Sequence, residues 1–558
     1  MLSRISVALI SLALVCSASA QKYTAPSNPM IGSQNTVTAD PAQPRPNTKP
    51  CVVQLFSDYT FDGFSDHPFN YTASCPGPWA KVILHADFSV TAGRQYDRTA
   101  NIWIGGVNVY FGTTAEPSAT VSRNWTVEND LTDYAPLFAV GQTGNVRLDN
   151  LVNSTYTGIL YGSAELDFYP VAKHQEAPET ASQIYPLSAG PNGDTVALNT
   201  ASDVLSTTLT LPTNIERAYL DVFAQSQSGD EFWYTCVPND VAGELQSCGG
   251  GAFRESEVTI DGTPAGVAPV YPWIYTGGID PILWRPIPDI STLNFTPYRV
   301  DLTPFAGVLS NGVPHTIGIS VNGANYYFST TATLLIYQDE KSSQTTGEVT
   351  KNTIGTANPK IAEKINTAPD GSITGTVSTT SSRRFIAEGY INTSHGRVNS
   401  SLAQNIDFSN VQSFNISGPT YVQDIKQRTT ITSSTSSFGG RVQRAAVSQQ
   451  YWPLNANISL NFGDNPIPQT TIISQGLHKS EAVAEAGQWP YWSQLDNTDN
   501  TADTLLIDPS TGSVTGFQGA SSSQSYKFLD SAGDCYSRTI ESANSTLTVV
   551  QDGHGCWF

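Results

Sequence analysis

Positive charge, long apolar runs and clustered histidines are all scarce in this chain of 558 residues. The seven histidines, His67, His85, His174, His315, His395, His478 and His554, are scattered. Neither HExxH nor any other paired metal-ligating spacing occurs among them. A G-x-S-x-G elbow and a phosphate-cradling glycine loop are missing too. Chemistry without a metal or cofactor is therefore expected. Lys and Arg total 28 against 48 Asp and Glu, and a surface that acidic repels nucleic-acid phosphates, so nucleic acid is excluded as a partner. The apolar run in "MLSRISVALISLALVCSASA" is too short to span a bilayer. With its single Arg and small-residue end it reads as a secretory signal peptide over residues 1–20, cleaved after Ala20. No later segment approaches a membrane span, so a secreted, soluble chain without membrane insertion is expected.

What is present suits an extracellular protein. Cys16 leaves with the signal, and six cysteines remain in three sequence-local pairs. Proximity favours Cys51–Cys75, Cys236–Cys248 and Cys535–Cys556 among the fifteen possible pairings. Asn-X-Ser/Thr triplets begin at Asn70, Asn124, Asn153, Asn294, Asn392, Asn399, Asn415, Asn457 and Asn544, a density that fits glycosylation in the secretory route. Helical periodicity is nearly absent. Strand-like runs recur instead, such as "KVILHADFSV", "NIWIGGVNVYF", "RAYLDVFAQ" and "ATLLIYQD", bounded by Gly, Pro, Asn and Asp. The fold class expected is all-β, built of antiparallel sandwiches.

Composition shifts divide the chain. Residues 21–47 read as a loose Pro-, Asn- and Thr-rich leader. Residues 48–172 and 185–340 read as two β-sandwich domains, and residues 341–368 as a polar linker. Residues 369–558 are Ser/Thr-rich with weaker alternation and read as a third β region.

One hairpin in the first domain is unusual. In "TAGRQYDRTANIWIGGVNVYFGTTAEPS" two apolar strands flank Gly105-Gly106, yet Asp97 and Arg98 stand at the mouth of one and Glu116 near the end of the other. A two-residue turn pairs Ile104 with Val107. Counting outward sets Asp97 opposite Thr114, with Glu116 diagonally beyond at roughly 7–8 Å. Two carboxylates that close, beside an arginine, can hold different protonation states, one acting as base and the other as acid. The competing reading is an edge ion pair with Glu116 on the rim, since structural charges outnumber catalytic ones.

The second domain resolves the choice by resemblance. "DEFWYT", "GAFRE", "IYTGGIDPILWRPI" and "VDLTPFAGVL", with "GRQYDR", "TAEP" and "NSTYTG" in the first domain, resemble characteristic runs of the peptide-N-glycanase A family. These are secreted plant and fungal amidases that remove asparagine-linked glycans. The likeness covers residues 48–340 and only loosely the C-terminal part. More distantly, "QYDRTANIWI" resembles the segment of bacterial peptide-N-glycanase F that carries its essential aspartate, followed there too by Arg. That enzyme has two jelly-roll domains side by side with the active site between them. The resemblance therefore implies two adjacent jelly-roll-like sandwiches, Asp97 as the primary carboxylate and Arg98 as its neighbour in the substrate site. The match departs at a second carboxylate: the bacterial Glu before Cys-Phe-Arg falls where this chain reads "CGGGAFRE".

Glu116, Glu231 and Glu255 are the candidates for that second role, with a solvated or ion-paired glutamate the alternative for each. Alternation sets Arg254 and Glu255 on opposite faces, so only one can face a given cleft. Trp233, Trp273 and Trp284 offer flat surfaces for sugar rings, against ordinary core packing, which is the preferred reading for Trp273. Arg254 and Arg285 are candidate hydrogen-bond donors to a carbonyl or sugar hydroxyl. The activity implied is hydrolysis of the amide between an asparagine side chain and the innermost N-acetylglucosamine, at acidic pH, on N-glycosylated peptides and glycoproteins. Two rivals stand beside it: a non-catalytic glycan-binding sandwich protein, and a glycoside hydrolase using the same paired carboxylates.

Overall fold

Eight strands build the first domain of the computed structural model, which describes residues 23–25, 29–440 and 442–553. They are β1 (Cys51–Phe61), β2 (His67–Tyr71), β3 (Trp79–Val90), β4 (Thr99–Ile104), β5 (Val107–Thr113), β6 (Arg123–Asp130), β7 (Gln142–Arg147) and β8 (Leu160–Pro170). One sheet has the order β1-β8-β3-β6, the other β2-β7-β4-β5. The pairs first–eighth, second–seventh, third–sixth and fourth–fifth are those of one long hairpin rolled on itself, the jelly-roll arrangement. Inward residues of both sheets, among them Val82, Leu84, Phe88, Ile102, Tyr110 and Phe168, fill the space between them. The Cys51–Cys75 disulfide ties β1 to the loop after β2.

The second domain repeats the two-sheet plan. Gln183–Leu187 and Val196–Leu198 pair with Phe328–Gln338, which continues to Ile215–Ser226 and Tyr298–Asp301. The other sheet runs Leu205–Leu209, His315–Asn322, Glu255–Ile260, Thr263–Pro269. The sandwiches interlock side by side. The Tyr110 hydroxyl donates to the Leu293 carbonyl at 2.8 Å and the Phe295 amide to the Phe111 carbonyl at 2.8 Å. Leu293, Leu335 and Tyr337 of the second domain pack into the first domain's core, and Phe111 into the second's.

The C-terminal part is one antiparallel meander of eleven strands. Seven are long, from Ile373–Thr393 and Gly396–Ser417 to Tyr491–Ile507 and Val514–Asp530. Every other residue of these strands turns inward, yet many inward positions are Gln, Asn, Thr or Ser: Thr379, Ser381, Gln404, Asn410, Gln412, Gln423 and Gln427 are all buried. Three of them hydrogen-bond to backbone of the second domain, which helps explain the weak hydrophobic alternation. Asn410 Nδ2 reaches the Tyr234 carbonyl at 2.8 Å, Gln412 Nε2 the Cys236 carbonyl at 2.8 Å and Gln423 Nε2 the Thr235 carbonyl at 2.8 Å. The apolar inward residues, Phe385, Leu402, Phe408, Ile425 and Leu454, join the second domain's core.

Two expectations need correction. The segment 341–368 is no linker: Thr346–Asn352 and Lys360–Thr367 both pair with Ile373–Thr393. Its residues look polar because these edge strands keep most side chains in solvent. Nor are the described residues of the leader loose. Val37, Ala39 and Ala42 are buried, the Ala39 amide donates to Gln524 Oε1 at 2.7 Å, and the Gln43 amide donates to Glu128 Oε2 at 2.8 Å. The leader wedges between the first sandwich and the C-terminal sheet, and contacts that distant in sequence leave no local pattern to read. The proposed signal peptide lies outside the described residues, as does Cys556, so only the first two disulfides are seen. Among the described residues no helix is long and apolar enough to cross a membrane.

Candidate active site

The hairpin mouth opens where the two sandwiches meet. Its register differs by one residue from simple counting. Ile104 pairs with Val107 and Trp103 with Asn108, but Ile102 pairs with Tyr110, leaving Val109 as a bulge. Beyond it Arg98, not Asp97, faces Thr114: the Thr114 amide donates to the Arg98 carbonyl at 2.8 Å, and the Arg98 amide to Thr114 Oγ1 at 2.9 Å. The bulge lies on β5, so it moves Thr114 and Glu116 by one place along Asp97 and Arg98. Arg98 is held by Gln95, whose Oε1 accepts its Nη2 at 2.8 Å, while Gln95 itself is anchored to the Leu151 and Gly158 carbonyls.

From the second domain a loop of Gly, Pro and aromatic residues, 271–290, closes over this mouth. Thr276 Oγ1 donates to the Thr114 carbonyl at 2.5 Å and Trp284 Nε1 to the Gly278 carbonyl at 2.8 Å. At Gly277 a β-carbon would lie 2.5 Å from Asp97 Oδ1 and 2.6 Å from Glu116 Oε2, so those oxygens are at most about 5 Å apart. Glycine is required there by crowding, since any side chain would occupy the place where the carboxylates converge. Arg285 Nη2 bonds Glu116 Oε1 at 3.3 Å and the Pro117 carbonyl at 2.9 Å, leaving Glu116 Oε2 without a partner among the described residues.

Glu231 comes from a third element, the turn after Ile215–Ser226. Asp230 before it is fully buried and fixes that turn. It accepts Arg254 Nε at 3.0 Å and the Asn325 and Tyr326 amides at 2.8 and 2.7 Å. Burial pushes Glu231 up to about 8, and the charge of Asp97 adds to the shift. Glu116 also rises to about 8 through burial, with Arg285 opposing and Asp97 and Asp280 reinforcing. Burial raises Asp97 as well, against which the Gly277 amide and the Arg98 charge pull. All three carboxyl groups are half-buried, so solvent still reaches them. The set can hold one ionised carboxylate beside two protonated ones near neutral pH, which is an acid–base constellation.

Around it lie exposed aromatics. Tyr96, 43 % exposed, stacks with Tyr156 at 5.0 Å between ring centres, with Arg98 over the former at 5.8 Å and Arg94 over the latter at 5.5 Å. Tyr326, 56 % exposed, stands beside Gly229 on the second domain. Sequence reasoning passed over these tyrosines, although Tyr96 adjoins Asp97. A separate cavity of about 980 Å³ lies between the leader, both sandwiches and the C-terminal sheet, and no carboxylate of the constellation lines it.

Of the sequence-selected residues, Asp97, Arg98, Glu116, Glu231 and Arg285 come together. The others do not. Glu255 is buried against Arg383 of the C-terminal sheet and is a structural ion pair. Arg254 is sealed against Asp230, with side-chain exposures of 1 % and 0 %. Trp233 is fully buried beside Tyr234 and Phe408, and Trp284 and Trp273 are buried in the same core, so none presents a face to a sugar. Their aromatic content suited both roles, and only packing distinguishes them.

Two jelly-roll-type sandwiches with a cluster of carboxylates and arginines at their junction define a class of β-rich protein with an acid–base site between domains. Within that class the chain belongs to the peptide N-acetyl-beta-D-glucosaminyl asparaginase amidase A family, whose model matches residues 41–354. It is 29 % identical over 537 residues to the peptide-N4-(N-acetyl-beta-glucosaminyl)asparagine amidase A of Prunus dulcis, covering 92 % of this chain and 91 % of that one. Among solved structures it resembles PNGase F, a glycosylasparaginase from Flavobacterium meningosepticum, at 15 % identity and a TM-score of 0.33, over 52 % of this chain and 96 % of that one. It also resembles PNGF-II, at 12 % identity and a TM-score of 0.36, over 52 % and 66 %.

Proposed function

We propose that this protein, as a secreted amidase, hydrolyses the bond between an asparagine side chain and the innermost N-acetylglucosamine of N-glycosylated peptides. The observation that carries the reading is the convergence of Asp97 Oδ1 and Glu116 Oε2 on Gly277, with Arg98 and Arg285 alongside. Asp97, whose ionised form the Gly277 amide and the Arg98 charge favour, acts as the base on water attacking the amide carbon. Glu116 or Glu231, protonated below about 8, gives its proton to the departing glycosylamine nitrogen. Arg98 stabilises the oxyanion that forms as the carbonyl goes tetrahedral. Products are an aspartate-containing peptide and a 1-amino-glycan that then loses ammonia. The Tyr96–Tyr156 pair gives the sugar a surface to stack on at the cleft's edge.

Digestion of an N-glycopeptide followed by mass spectrometry tests the reading. Conversion of Asn to Asp is the expected product. An N-acetylglucosamine left on asparagine identifies a glycoside hydrolase instead, and binding without conversion identifies a lectin. Asp97→Asn is expected to fold and lose about 10²–10⁴-fold in kcat, the usual worth of a positioned general base. Full activity in that folded variant removes Asp97 from the mechanism. The pH profile is expected to fall as pH rises through about 8, because a raised carboxyl loses its donor proton there. Of the two acids, the donor is the one whose Gln variant flattens the step near 8 more.

A further inference from the structure

The loop that carries Gly277 and Arg285 has two sides. One faces the carboxylates; the other lies on strand Tyr491–Ile507 of the C-terminal sheet and its neighbours. Thr501 Oγ1 donates to the Leu283 carbonyl at 2.9 Å, Gln475 Nε2 to the Pro272 carbonyl at 2.7 Å, and Tyr271 hydroxyl to the Gly476 carbonyl at 3.3 Å. Asp499 and Asp503 flank Thr501 on the same inward face of the strand, with exposures of 2 % and 3 %. Opposite them the loop presents Asp280 and Asp289, exposed 0 % and 1 %. Four carboxyl groups are thus sealed in one contact. Asp280 Oδ1 accepts the Ile282 amide at 2.8 Å and the Ile274 and Ile290 amides face Asp289, but Asp280 Oδ2 and both oxygens of Asp499 and Asp503 have no donor among the described residues. Other charged or titratable groups beside the four are Arg285 and Glu116 at Asp280, Tyr271 at Asp289 and Asp499, Tyr234 at Asp289, and Asp40 of the leader at Asp499.

We propose that Asp499 and Asp503 are positioning residues for the amidase site, holding the loop that bears Gly277 and Arg285 through carboxyl–carboxylate contacts across the sheet. The proposal rests on the reading of that loop as part of the active site. A buried carboxyl without a donor is satisfied by carrying a proton and sharing it with its neighbour. Burial, with Asp280 beside it, pushes Asp503 up to about 9, so Asp503 keeps its proton and donates it to Asp280. Burial likewise raises Asp289 to about 8 and moves Asp499 in the same direction. Asp280 then carries a single negative charge next to Arg285, which leaves Arg285 aimed at Glu116. Loss of the shared protons puts like charges face to face where water cannot screen them, and the loop lifts from its support. The sign is clear: groups raised above their unfolded values favour the folded contact at low pH and oppose it as pH climbs toward about 8–9.

The test uses the full chain. In the wild type, hydrogen exchange of residues 277–290, corrected for intrinsic rates, is measured at about pH 5, 7 and 9. Protection is expected to fall selectively in this loop between the last two values. Thermal unfolding and the amidase pH profile are then compared with Asp503→Asn and Asp499→Asn, whose amides donate at any pH. These variants are expected to flatten the alkaline loss of Tm and to keep about tenfold more of their acidic-pH kcat at pH 9 than the wild type does, the fall that remains through about 8 being the donor acid's own, with KM little changed. Unchanged loop protection in the wild type overturns the proposal. So does a variant that loses activity equally at every pH while its profile keeps the wild-type shape. Exchange and Tm need no turnover. A loop that loosens as predicted in a protein that converts no glycopeptide would reject the amidase reading alone.

Discussion

Gly277 is a residue whose importance comes from what it lacks. A β-carbon there would sit within 2.6 Å of oxygens from both Asp97 and Glu116, so Gly277→Ala must push the carboxylates apart or lift the loop. Displacing reacting groups by about 1 Å can cost about 10²-fold; a kcat loss of that order is expected, with circular dichroism unchanged. Activity within twofold of wild type would place the reaction elsewhere. Arg254 makes the opposite kind of prediction. Its partner Asp230 has a side-chain exposure of 0 %, and Arg254→Ala leaves that charge uncompensated, at an expected cost of about 3–5 kcal/mol in denaturant unfolding. At this scale the sequence was informative where chemistry was concentrated and silent about direction. Asp97 and Arg98 could be picked out because a charged pair at the mouth of an apolar hairpin needs a reason, and a family resemblance supplied one. Trp233 and Arg254 looked equally functional, and only burial separates them from the site. Asn294 shows the same limit, since its amide already donates to the Glu128 carbonyl at 3.2 Å and Asn129 Oδ1 at 2.8 Å. Its sequon is expected to be unmodified, which glycopeptide mapping of the protein expressed in a glycosylating host checks.

The hairpin of β4 and β5 shows how one element can be read correctly and still be placed wrongly. Alternation and Gly105-Gly106 identify both strands and the turn, but nothing in "NIWIGGVNVYF" announces a bulge at Val109. One extra residue exchanges the faces of everything beyond it on its own strand, and so it decides where Thr114 and Glu116 fall beside Asp97. The long C-terminal strands fail to stand out for a different reason. Their inward positions carry amides and hydroxyls that replace apolar burial with hydrogen bonds to the turn at Tyr234–Cys236. A hydrophobicity pattern is blind to that design. Gln412→Ala is expected to leave the Cys236 carbonyl unpaired and to lower stability by about 1–3 kcal/mol, measured by chemical denaturation. If the variant matches wild type, these contacts are incidental to holding the sheet on the second domain.

The whole molecule behaves as one body with a shared interior, although composition suggests separable parts. Phe385, Leu402, Phe408, Ile425 and Leu454 of the C-terminal sheet belong to the same core as Trp233, Phe253 and Val267 of the second domain, and the leader bonds to both the first sandwich and the sheet. Contacts that join residues hundreds of positions apart are the part of the fold that no local window can show. A fragment ending at residue 340 would keep the two sandwiches and every catalytic candidate. It would also expose that half of the core to water and strip the Tyr234 and Cys236 carbonyls of their side-chain donors. It is therefore expected to bind a hydrophobic dye, to unfold without a cooperative transition and to show no amidase activity. Size-exclusion chromatography and a thermal melt decide the matter: a monomeric fragment with a sharp melt would show that the sheet is an appended module. Restoring residues 341–558 as a separate chain should then recover activity only if the sheet acts by supporting the loop around Gly277, because it contributes no member of the carboxylate constellation itself.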